Sequence, residues 1–422
     1  MMENLDYQTY AELLAKNARK ASAAIRTLNN ETKNNVLKSV AKKIRENVSE
    51  ILDENKKDIE LNKNTLSAAM LDRLTLNESR IESIAKGVEE ISSFESPLGK
   101  ILEKRVLSNG VEISRVSVPI GSVFFIYESR PNVTIDGASL CFKAGNAVIL
   151  RGGKESIHSS LYLASLFKAA LKEWNVDENA VQLVNTPDRN VLSALLQKNE
   201  SIDLVIPRGG EGLIRAVVEQ SKIPVIKHFN GICHIYVDKS ANTEMAARIV
   251  DNAKTSRPGT CNALETLLLD SSLSLEAIEK ILKPLREKHV EFFGDTFTAS
   301  EIQGVQALES LENYHTEYLA LKMNIRIVDG VKQAVEHIET YSSRHTEAII
   351  ATDPQVIQYF LNNVDSSSVM VNASTRLADG GVYGLGAEVG ISTDKLHARG
   401  PMGVESLCSY KWILNGNGQI RE

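Results

Sequence analysis

The segment Gly121–Gly153 reads GSVFFIYESRPNVTIDGASLCFKAGNAVILRGG, with two short apolar runs, VFFIY and AVIL, on either side of a stretch with helical character. Continuous apolar runs that alternate with helices are typical of parallel strands, because helices cover both faces of such a sheet. The alternation continues to Ile226 through the runs AVQLV, IDLVIPRGG and PVI. We therefore predict an α/β fold with a parallel sheet, an arrangement that binds dinucleotides at the carboxyl ends of its strands.

A second α/β segment follows from about residue 233 to 374. Its predicted strands are CHIYVD, ALETLLL, TEAIIAT and SVMVNAS, and its predicted helices lie around residues 244–253 and 275–285 and at PQVIQYFL. The glycine-rich sequence DGGVYGLGAEVGIS, residues 379–392, predicts a loop.

The first hundred residues are predicted to be helical. Apolar residues recur there every three or four positions, which gives one apolar stripe on a solvated helix: Val36, Val40, Ile44, Val48, Ile51 and Leu52. Around Asn109-Gly110 the sequence RVLSNGVEISRVSV predicts a β-hairpin, since Asn-Gly between β-rich runs is a strong hairpin signal. The alternating tail SLCSYKWIL predicts a closing strand.

Composition bounds the class of protein. A chain of 422 residues can form two or three domains, and a net charge of −6 predicts no nucleic-acid partner. The four cysteines lie far apart without a CxxC pair, which favours a reducing compartment without disulfides or a zinc site, so no metal is expected. The amino terminus has no signal-peptide pattern, and no segment approaches the ~20 apolar residues of a membrane span. We expect a cytoplasmic protein without a membrane partner.

Three short motifs can carry chemistry. Cys261 follows a Pro-Gly turn in KTSRPGTCNALETLLLD, residues 254–270, where it is either a nucleophile or a small core residue. Gly209 and Gly210 follow an apolar strand and open a helix, which suits a phosphate or simply a tight turn. Arg151 and Lys154 follow the run NAVIL and either bind a ribose phosphate or hydroxyls, or lie solvated beside a turn.

Seven longer motifs identify a family. They are IYESRPNVTIDGASLCFKAGNAVILRGGKES, KTSRPGTCNALETLL, GICHIYVD, TEYLAL, VMVNASTR, GLGAEVGIST and HARGPMG. Together they resemble the γ-glutamyl phosphate reductase family of the aldehyde dehydrogenase superfamily, from the first helices to about Lys411. One departure is Leu377, where the family usually has Phe after the arginine of NASTR.

The resemblance implies an aldehyde-dehydrogenase-like architecture. A Rossmann-like NADPH-binding domain is expected over residues 1–105 and 119–230, and a smaller α/β catalytic domain over residues 231–390. An oligomerisation element is expected from the hairpin at 106–118 and the tail at 391–422, which predicts a homo-oligomer. The family's architecture places the active site between the two main domains.

The resemblance also implies the reaction and its residues. The family reduces L-glutamyl 5-phosphate with NADPH to L-glutamate 5-semialdehyde and phosphate, the second step of proline biosynthesis from glutamate. Cys261 matches the nucleophile, Asn132 the oxyanion-hole asparagine, and Glu317 a glutamate that contacts the nicotinamide ribose. The cofactor-binding positions match less closely and are Arg151, Lys154, Gly209 and Gly210. Because this substrate cyclises readily, functional coupling to glutamate 5-kinase is also expected.

Four arginines lie inside the matching motifs: Arg130, Arg257, Arg376 and Arg399. A planar guanidinium suits bidentate binding of phosphate or carboxylate, so each is a candidate for the substrate's anionic groups. Each is equally a candidate for a simple ion pair.

The segment 225–237, VIKHFNGICHIYV, contains no carboxylate, whereas hydrolytic aldehyde dehydrogenases keep a glutamate just before the part that matches GICHIYVD to activate water. Its absence suits a reductase that protects a thioester from water. His228 in this segment is an acid–base candidate or, more simply, a structural histidine. Two other functions stay open: an aldehyde dehydrogenase that acylates coenzyme A, and an inactive nucleotide-binding regulatory protein.

Overall fold

The computed structural model describes residues 6–421, and the chain divides into two compact units. The first unit contains the described residues up to Lys227, the segment Leu385–Gly390 and the segment from Met402 onward. The second unit contains His228–Gly384 and Ile391–Pro401. The chain therefore passes from one unit to the other more than once.

The helices, in chain order, are α1 (Tyr7–Ile25), α2 (Asn30–Glu46), α3 (Val48–Asn62), α4 (Ala68–Leu74), α5 (Glu78–Ser93), α6 (Pro131–Lys143), α7 (Ile157–Glu173), α8 (Arg189–Leu195), α9 (Glu211–Gln220), α10 (Thr243–Thr255), α11 (Leu275–Glu287), α12 (Thr296–Glu301), α13 (Gly330–Tyr341) and α14 (Pro354–Asn363).

The strands are β1 (Ile101–Val106), β2 (Glu112–Pro119), β3 (Ser122–Tyr127), β4 (Ala147–Arg151), β5 (Val181–Leu183), β6 (Leu204–Arg208), β7 (Cys233–Val237), β8 (Leu264–Asp270), β9 (Glu291–Gly294), β10 (Val305–Ala307), β11 (Lys322–Val328), β12 (Thr346–Ile350), β13 (Ser368–Val371), β14 (Gly390–Ser392), β15 (Gly400–Met402) and β16 (Cys408–Asn415).

The main sheet of the first unit is parallel, with strand order β5-β4-β3-β6. All six residues of β3 are buried, as expected for a strand whose two faces are both covered by helices. The α/β fold predicted from the alternating apolar runs is confirmed. The first hundred residues are helical as predicted, but the apolar stripe is divided between α2 and α3. Asn47 separates the two helices and donates from Nδ2 to the backbone carbonyl of Lys43 at 2.8 Å.

A three-stranded antiparallel sheet forms apart from the parallel one, with strand order β1-β2-β16. The hairpin predicted around Asn109-Gly110 is confirmed by the β1–β2 ladder, in which Val106 pairs with Glu112. The predicted closing strand is β16, which pairs with β2 from Cys408 to Asn415.

The second unit contains a seven-stranded parallel sheet of order β10-β9-β11-β8-β7-β12-β13. Strands β7, β8 and β12 are buried over their whole length. The sequence did not identify β9, β10 and β11, because two of them are very short and KMNIRIV in β11 mixes polar and apolar residues. The predicted loop at residues 379–392 is irregular except at its end, where β14 begins at Gly390.

The described residues contain no helix with both the length and the apolar character needed to cross a membrane. All four cysteines fall within the described residues, and each is a thiol rather than half of a disulfide. Cys141 and Cys233 are buried.

Candidate active site

Cys261 lies on the loop that joins α10 to β8, and its side chain is half-buried. In the parallel pairing of β7 with β8, Cys233 lies opposite Leu264. The segment before β7 and the loop before β8 are therefore neighbours at the amino-terminal edge of the sheet. This register places the backbone of Gly231 directly against Cys261.

The contact between Gly231 and Cys261 leaves no room for a side chain. A Cβ atom on Gly231 would lie 1.8 Å from the carbonyl oxygen of Cys261, which is part of the backbone and cannot rotate away. The thiol of Cys233 donates to the same carbonyl oxygen at 3.2 Å. The nucleophile candidate is thus fixed by its backbone, on a site that requires glycine at position 231.

Glu317 is the third member of this arrangement. Its Oε1 accepts a hydrogen bond from the backbone N–H of Gly231 at 2.9 Å. The segment that carries Glu317 precedes β11, which pairs with β8, so it also lies at the amino-terminal edge. The structure therefore brings Cys261 and Glu317 together through a single glycine.

Arg376 reaches the loop from the other side. Its Nη1 donates to Oγ1 of Thr260 at 2.9 Å, one residue before Cys261. Asn262, one residue after Cys261, is buried and donates from Nδ2 to the backbone carbonyl of Ala378 at 3.0 Å. The cysteine is therefore flanked by two hydrogen bonds to the segment that contains Arg376.

The electrostatics around Arg376 favour an anion. Burial lowers the pKa of Arg376, and the neighbouring cation of Arg257 lowers it further, whereas Asp379 and Cys261 act in the opposite direction. The Nε atom of Arg376 is buried without a hydrogen-bond partner among the described residues. The charges of Arg376 and Arg257 and the unsatisfied Nε donor of Arg376 suit a phosphate near Cys261. A guanidinium group can donate two parallel hydrogen bonds to phosphate oxygens.

Arg399 is engaged elsewhere. Its Nη1 donates to Asp365 Oδ1 at 2.7 Å, and its Nη2 donates to the backbone carbonyl of Asp365 at 2.7 Å. Lys395 and Arg399 together lower the pKa of Asp365 to about 2. Arg399 was a candidate either for binding a substrate anion or for an ion pair, and in this structure it forms an ion pair with Asp365.

His228 lies in the same unit, where its Nδ1 is 3.0 Å from the backbone carbonyl of Ile391. Its ring packs edge to face on His345, with 5.8 Å between ring centroids. Burial, followed by the charge of His228, lowers the pKa of His345 to about 3, so His345 is neutral at physiological pH. These contacts fix the ring of His228.

Asn132 belongs to the first unit, in the first turn of α6, just beyond the carboxyl end of β3. Its Nδ2 donates to Asp136 Oδ2 at 2.9 Å, one helical turn further on. Burial raises the pKa of Asp136 to about 6, although the hydrogen bond from Asn132 and the charge of Arg208 both oppose that rise. An ionised carboxylate accepts hydrogen bonds only, so it fixes the orientation of the Asn132 amide.

The turn between β3 and α6 carries Arg130. Ser129 has a positive φ of 39°, and its backbone N–H and its hydroxyl both donate to Glu155 Oε1, at 2.7 and 2.6 Å. Arg130 follows as the residue before α6 and is half-buried. Glu155, on the turn after β4, therefore helps to hold the start of the RPNVT motif.

Gly209 and Gly210 form the turn between β6 and α9. The backbone N–H of Gly210 donates to Glu128 Oε2 at 2.9 Å, and a Cβ atom on Gly209 would lie 2.6 Å from the same oxygen. A side chain at position 209 would therefore require the side chains of Glu128 and Leu213 to shift. The carboxylate of Glu128 therefore accepts a hydrogen bond from the same Gly210 N–H that could donate to a phosphate.

A cationic cluster lies at the carboxyl end of β4. Burial lowers the pKa of Arg151, and nearby Arg189 lowers it further against the opposing charge of Glu155. The Nε atom of Arg151 is buried and has no hydrogen-bond partner among the described residues. Lys154 is exposed and directly follows Gly152-Gly153, three residues after Arg151. This cluster fits an anionic group such as the 2′-phosphate of NADPH.

Sequence reasoning found Cys261, Glu317 and Arg376, which the structure brings together in the second unit. It missed Asp136 and Arg189, whose importance depends on neighbours that are distant or one turn away. It also missed the ion pair of Lys254 and Glu265, whose side chains are both fully buried. A charged residue inside the run LETLLL was the available signal for that pair.

Known proteins share both the sequence and the structure. A model of the aldehyde dehydrogenase family matches residues 6–314. A gamma-glutamyl phosphate reductase from Nautilia profundicola is 46% identical over 412 residues, which cover 97% of this chain and 100% of the relative. The crystal structure of a gamma-glutamyl phosphate reductase from Thermotoga maritima superposes with a TM-score of 0.95 at 38% identity and covers 98% of this chain and 100% of that chain.

A more distant solved structure shares the fold alone. An acetylating aldehyde dehydrogenase from Geobacillus thermoglucosidasius gives a TM-score of 0.68 at 16% identity, and the match covers 99% of this chain and 98% of that chain. The α/β architecture is therefore common to proteins whose sequences have diverged widely.

The hydrogen bond between Asn132 and Asp136 predicts a pH-dependent amide. As the pH falls through about 6, Asp136 becomes protonated and loses its acceptor-only character. In protein labelled with [¹⁵N]asparagine, the side-chain signals of Asn132 should shift with a midpoint near pH 6, and Asp136→Asn should abolish the shift. Constant signals between pH 5 and 7.5 in the unmodified protein would contradict the assignment.

Proposed function

The chain belongs to the aldehyde dehydrogenase family, within the group of gamma-glutamyl phosphate reductases, and we propose that it reduces L-glutamyl 5-phosphate to L-glutamate 5-semialdehyde and phosphate. This reaction is the second step of proline biosynthesis from glutamate. The observation that carries the proposal is a half-buried thiol, Cys261, on a loop contacted by the guanidinium of Arg376, with a second guanidinium, that of Arg257, near Arg376.

In the first step, the Cys261 thiolate attacks the γ-carbonyl carbon of the acyl phosphate. A carbon–sulfur bond forms, the carbon–oxygen bond to phosphate breaks, and inorganic phosphate leaves with the bonding electron pair. Covalent capture by a thiol divides a difficult reduction into two easier steps. The loop that carries Cys261 is held by contacts at Gly231, Cys233 and Thr260, and these contacts keep the sulfur in place during attack.

Each tetrahedral species on this path carries an oxyanion. The side-chain amide of Asn132 and the backbone N–H of Cys261 are the proposed donors to it, each typically worth about 3–4 kcal/mol in a transition state. Asp136 accepts from one amide hydrogen of Asn132, so the amide keeps its nitrogen side in a fixed orientation.

A nicotinamide cofactor serves this family, and NADPH is the proposed one. NADPH supplies a hydride to the thioester carbon when it is bound. Glu317 is proposed to hold the nicotinamide ribose, and Arg151 with Lys154 the 2′-phosphate, next to Arg189. Gly209 and Gly210 are proposed to hold the pyrophosphate, at the turn where Glu128 accepts from the Gly210 N–H. The second tetrahedral species collapses to the aldehyde and releases Cys261 as the thiolate.

Arg376 and Arg257 are proposed to bind the phosphate of the substrate, because Arg376 contacts the Cys261 loop and Arg257 lies near Arg376. The proposed roles of Arg130 and Arg399 are then limited to the α-carboxylate end of the substrate or to its surroundings. For Arg399 the ion pair with Asp365 favours a supporting role.

The exposed face of β16 supports self-association. Tyr410, Trp412 and Leu414 alternate along the strand, so they share one face, and each is at least 43% exposed. The far edge of β16 pairs with no strand among the described residues, since the sheet order ends there. We propose that a second copy of this chain covers β16, because an exposed apolar strand at the edge of a sheet otherwise promotes aggregation.

Two further proposals concern the cellular setting. Functional coupling to glutamate 5-kinase follows from the substrate, an acyl phosphate that cyclises unless it is consumed quickly. A cytoplasmic location follows from a biosynthetic reaction that depends on a reduced thiol, which a reducing compartment preserves.

A coupled assay tests the function: purified protein with a glutamate kinase, ATP, glutamate and NADPH. We expect formation of glutamate 5-semialdehyde, and Cys261→Ala should reduce it at least about a thousandfold while NADPH affinity changes only a few fold. Cys141→Ala, a buried thiol outside the site, is the matched control and should stay active.

The reverse reaction, from glutamate 5-semialdehyde with the oxidised cofactor, separates the alternatives. Turnover that requires coenzyme A rather than phosphate would assign the chain to the acylating enzymes. No product while the kinase turns over, or unchanged turnover in Cys261→Ala, would overturn the proposal.

The phosphate assignment predicts a difference between two arginines. Arg376→Gln should raise the KM for phosphate in the reverse reaction at least about tenfold, since a charged hydrogen bond is worth about 1.5–3 kcal/mol. Arg399→Gln, which breaks the ion pair with Asp365, should lower thermal stability with a smaller change in that KM. Equal KM effects in steady-state kinetics would remove Arg376 from the phosphate site.

The self-association proposal predicts the effect of a charge on β16. Leu414→Lys should shift the protein toward monomer in analytical ultracentrifugation, because it places an ammonium on the exposed apolar face. Lys411→Gln, on the opposite face of the strand, should leave the oligomer intact. A monomeric unmodified protein would refute the proposal.

A further inference from the structure

A buried ion pair lies directly below the nucleophile loop. Lys254, in the last turn of α10, and Glu265, near the start of β8, are both fully buried, and Lys254 Nζ lies 3.0 Å from Glu265 Oε2. The two residues stand on either side of Cys261 in the sequence. Their contact therefore closes the base of the loop that presents the thiol.

The second carboxylate oxygen of Glu265 reaches a different segment. Glu265 Oε1 accepts a hydrogen bond from the backbone N–H of Leu319 at 3.3 Å, and the carboxylate also accepts from the backbone N–H of Tyr318. These residues immediately follow Glu317, whose own carboxylate binds Gly231. One side chain is thus connected to both the nucleophile loop and the segment that carries the proposed ribose ligand.

The pair is electrostatically costly. Burial raises the pKa of Glu265 to about 7 in spite of Lys254, and burial lowers the pKa of Lys254. Replacing a buried ion pair by apolar side chains of similar size is often neutral or stabilising. Stability alone therefore does not account for two charges at these positions, whereas charge-assisted hydrogen bonds to backbone N–H groups give directional control.

We propose that Lys254 and Glu265 form a positioning pair that fixes the Cys261 loop and the Glu317 segment relative to each other. Glu265 acts as the acceptor that joins them, and Lys254 orients its carboxylate. The proposal rests on the proposed function, in which Cys261 is the nucleophile and Glu317 binds the cofactor. Neither member of the pair touches the reacting atoms in this assignment.

Two double variants of the full chain test the pair. Lys254→Met with Glu265→Gln removes both charges but keeps a carbonyl acceptor for Leu319. Lys254→Met with Glu265→Leu removes the charges and the acceptor together. Each variant is measured for NADPH dissociation constant by fluorescence, for the rate of Cys261 alkylation by iodoacetamide with peptide mass detection, and for thermal unfolding.

We expect the leucine variant to unfold within a few degrees of the unmodified protein, to bind NADPH about tenfold more weakly and to alkylate Cys261 at a rate altered at least threefold. The glutamine variant should stay within threefold of the unmodified protein in both measurements. Unchanged binding and alkylation in the leucine variant, or equal losses in both variants, would overturn the proposal.

If the leucine variant does not fold, Glu265→Asp provides a second test, since it keeps the charge but withdraws the carboxylate by one methylene. It should weaken NADPH binding, and unchanged binding would overturn the proposal. Neither readout uses glutamyl phosphate. A failure of the unmodified protein to reduce that substrate would therefore be distinguishable from a failure of the positioning pair.

Discussion

The parallel register of β7 and β8 is the constraint on which the candidate site of the second unit depends. Because Cys233 lies opposite Leu264, the residues that precede the two strands lie side by side, and Gly231 meets the carbonyl of Cys261. A shift of one residue would turn every side chain of a strand to the other face. Side chains of different size and polarity are packed on both faces of these buried strands, which opposes that shift and holds the backbone of the Cys261 loop.

The candidate site residues of the two units lie at opposite edges of their own parallel sheets. In the second unit, the segments that carry Cys261 and Glu317 precede central strands and lie at the amino-terminal edge. In the first unit, Asn132 and Gly209 follow strands and Arg151 ends one, so all three lie at carboxyl ends, where open α/β sheets commonly bind nucleotides. Burial changes the electrostatics within each unit, since it raises the pKa of Asp136 in the first and lowers the pKa of Arg376 in the second.

Much of the fold followed from local patterns. Buried parallel strands such as β3 and β8 are continuous apolar runs, and Asn109-Gly110 specifies its hairpin within a few residues. Motifs such as RPNVT and TCNALETLL are long enough to indicate the family, which the comparisons confirm. The break at Asn47 and the strand β11 were not predicted, since an apolar stripe continues through the first and mixed polarity conceals the second.

By itself, the sequence determined the α/β class and the family, and it indicated Cys261 as the candidate nucleophile, because each depends on residues that are close in the chain. Only the tertiary structure decided that Glu265 joins Lys254 to Leu319, that Arg399 is paired with Asp365, and that Arg376 lies beside Cys261. Such pairings depend on strand register and on burial. The same charged residue therefore becomes an anion ligand, an ion-pair partner or a positioning group according to the neighbours that the fold supplies.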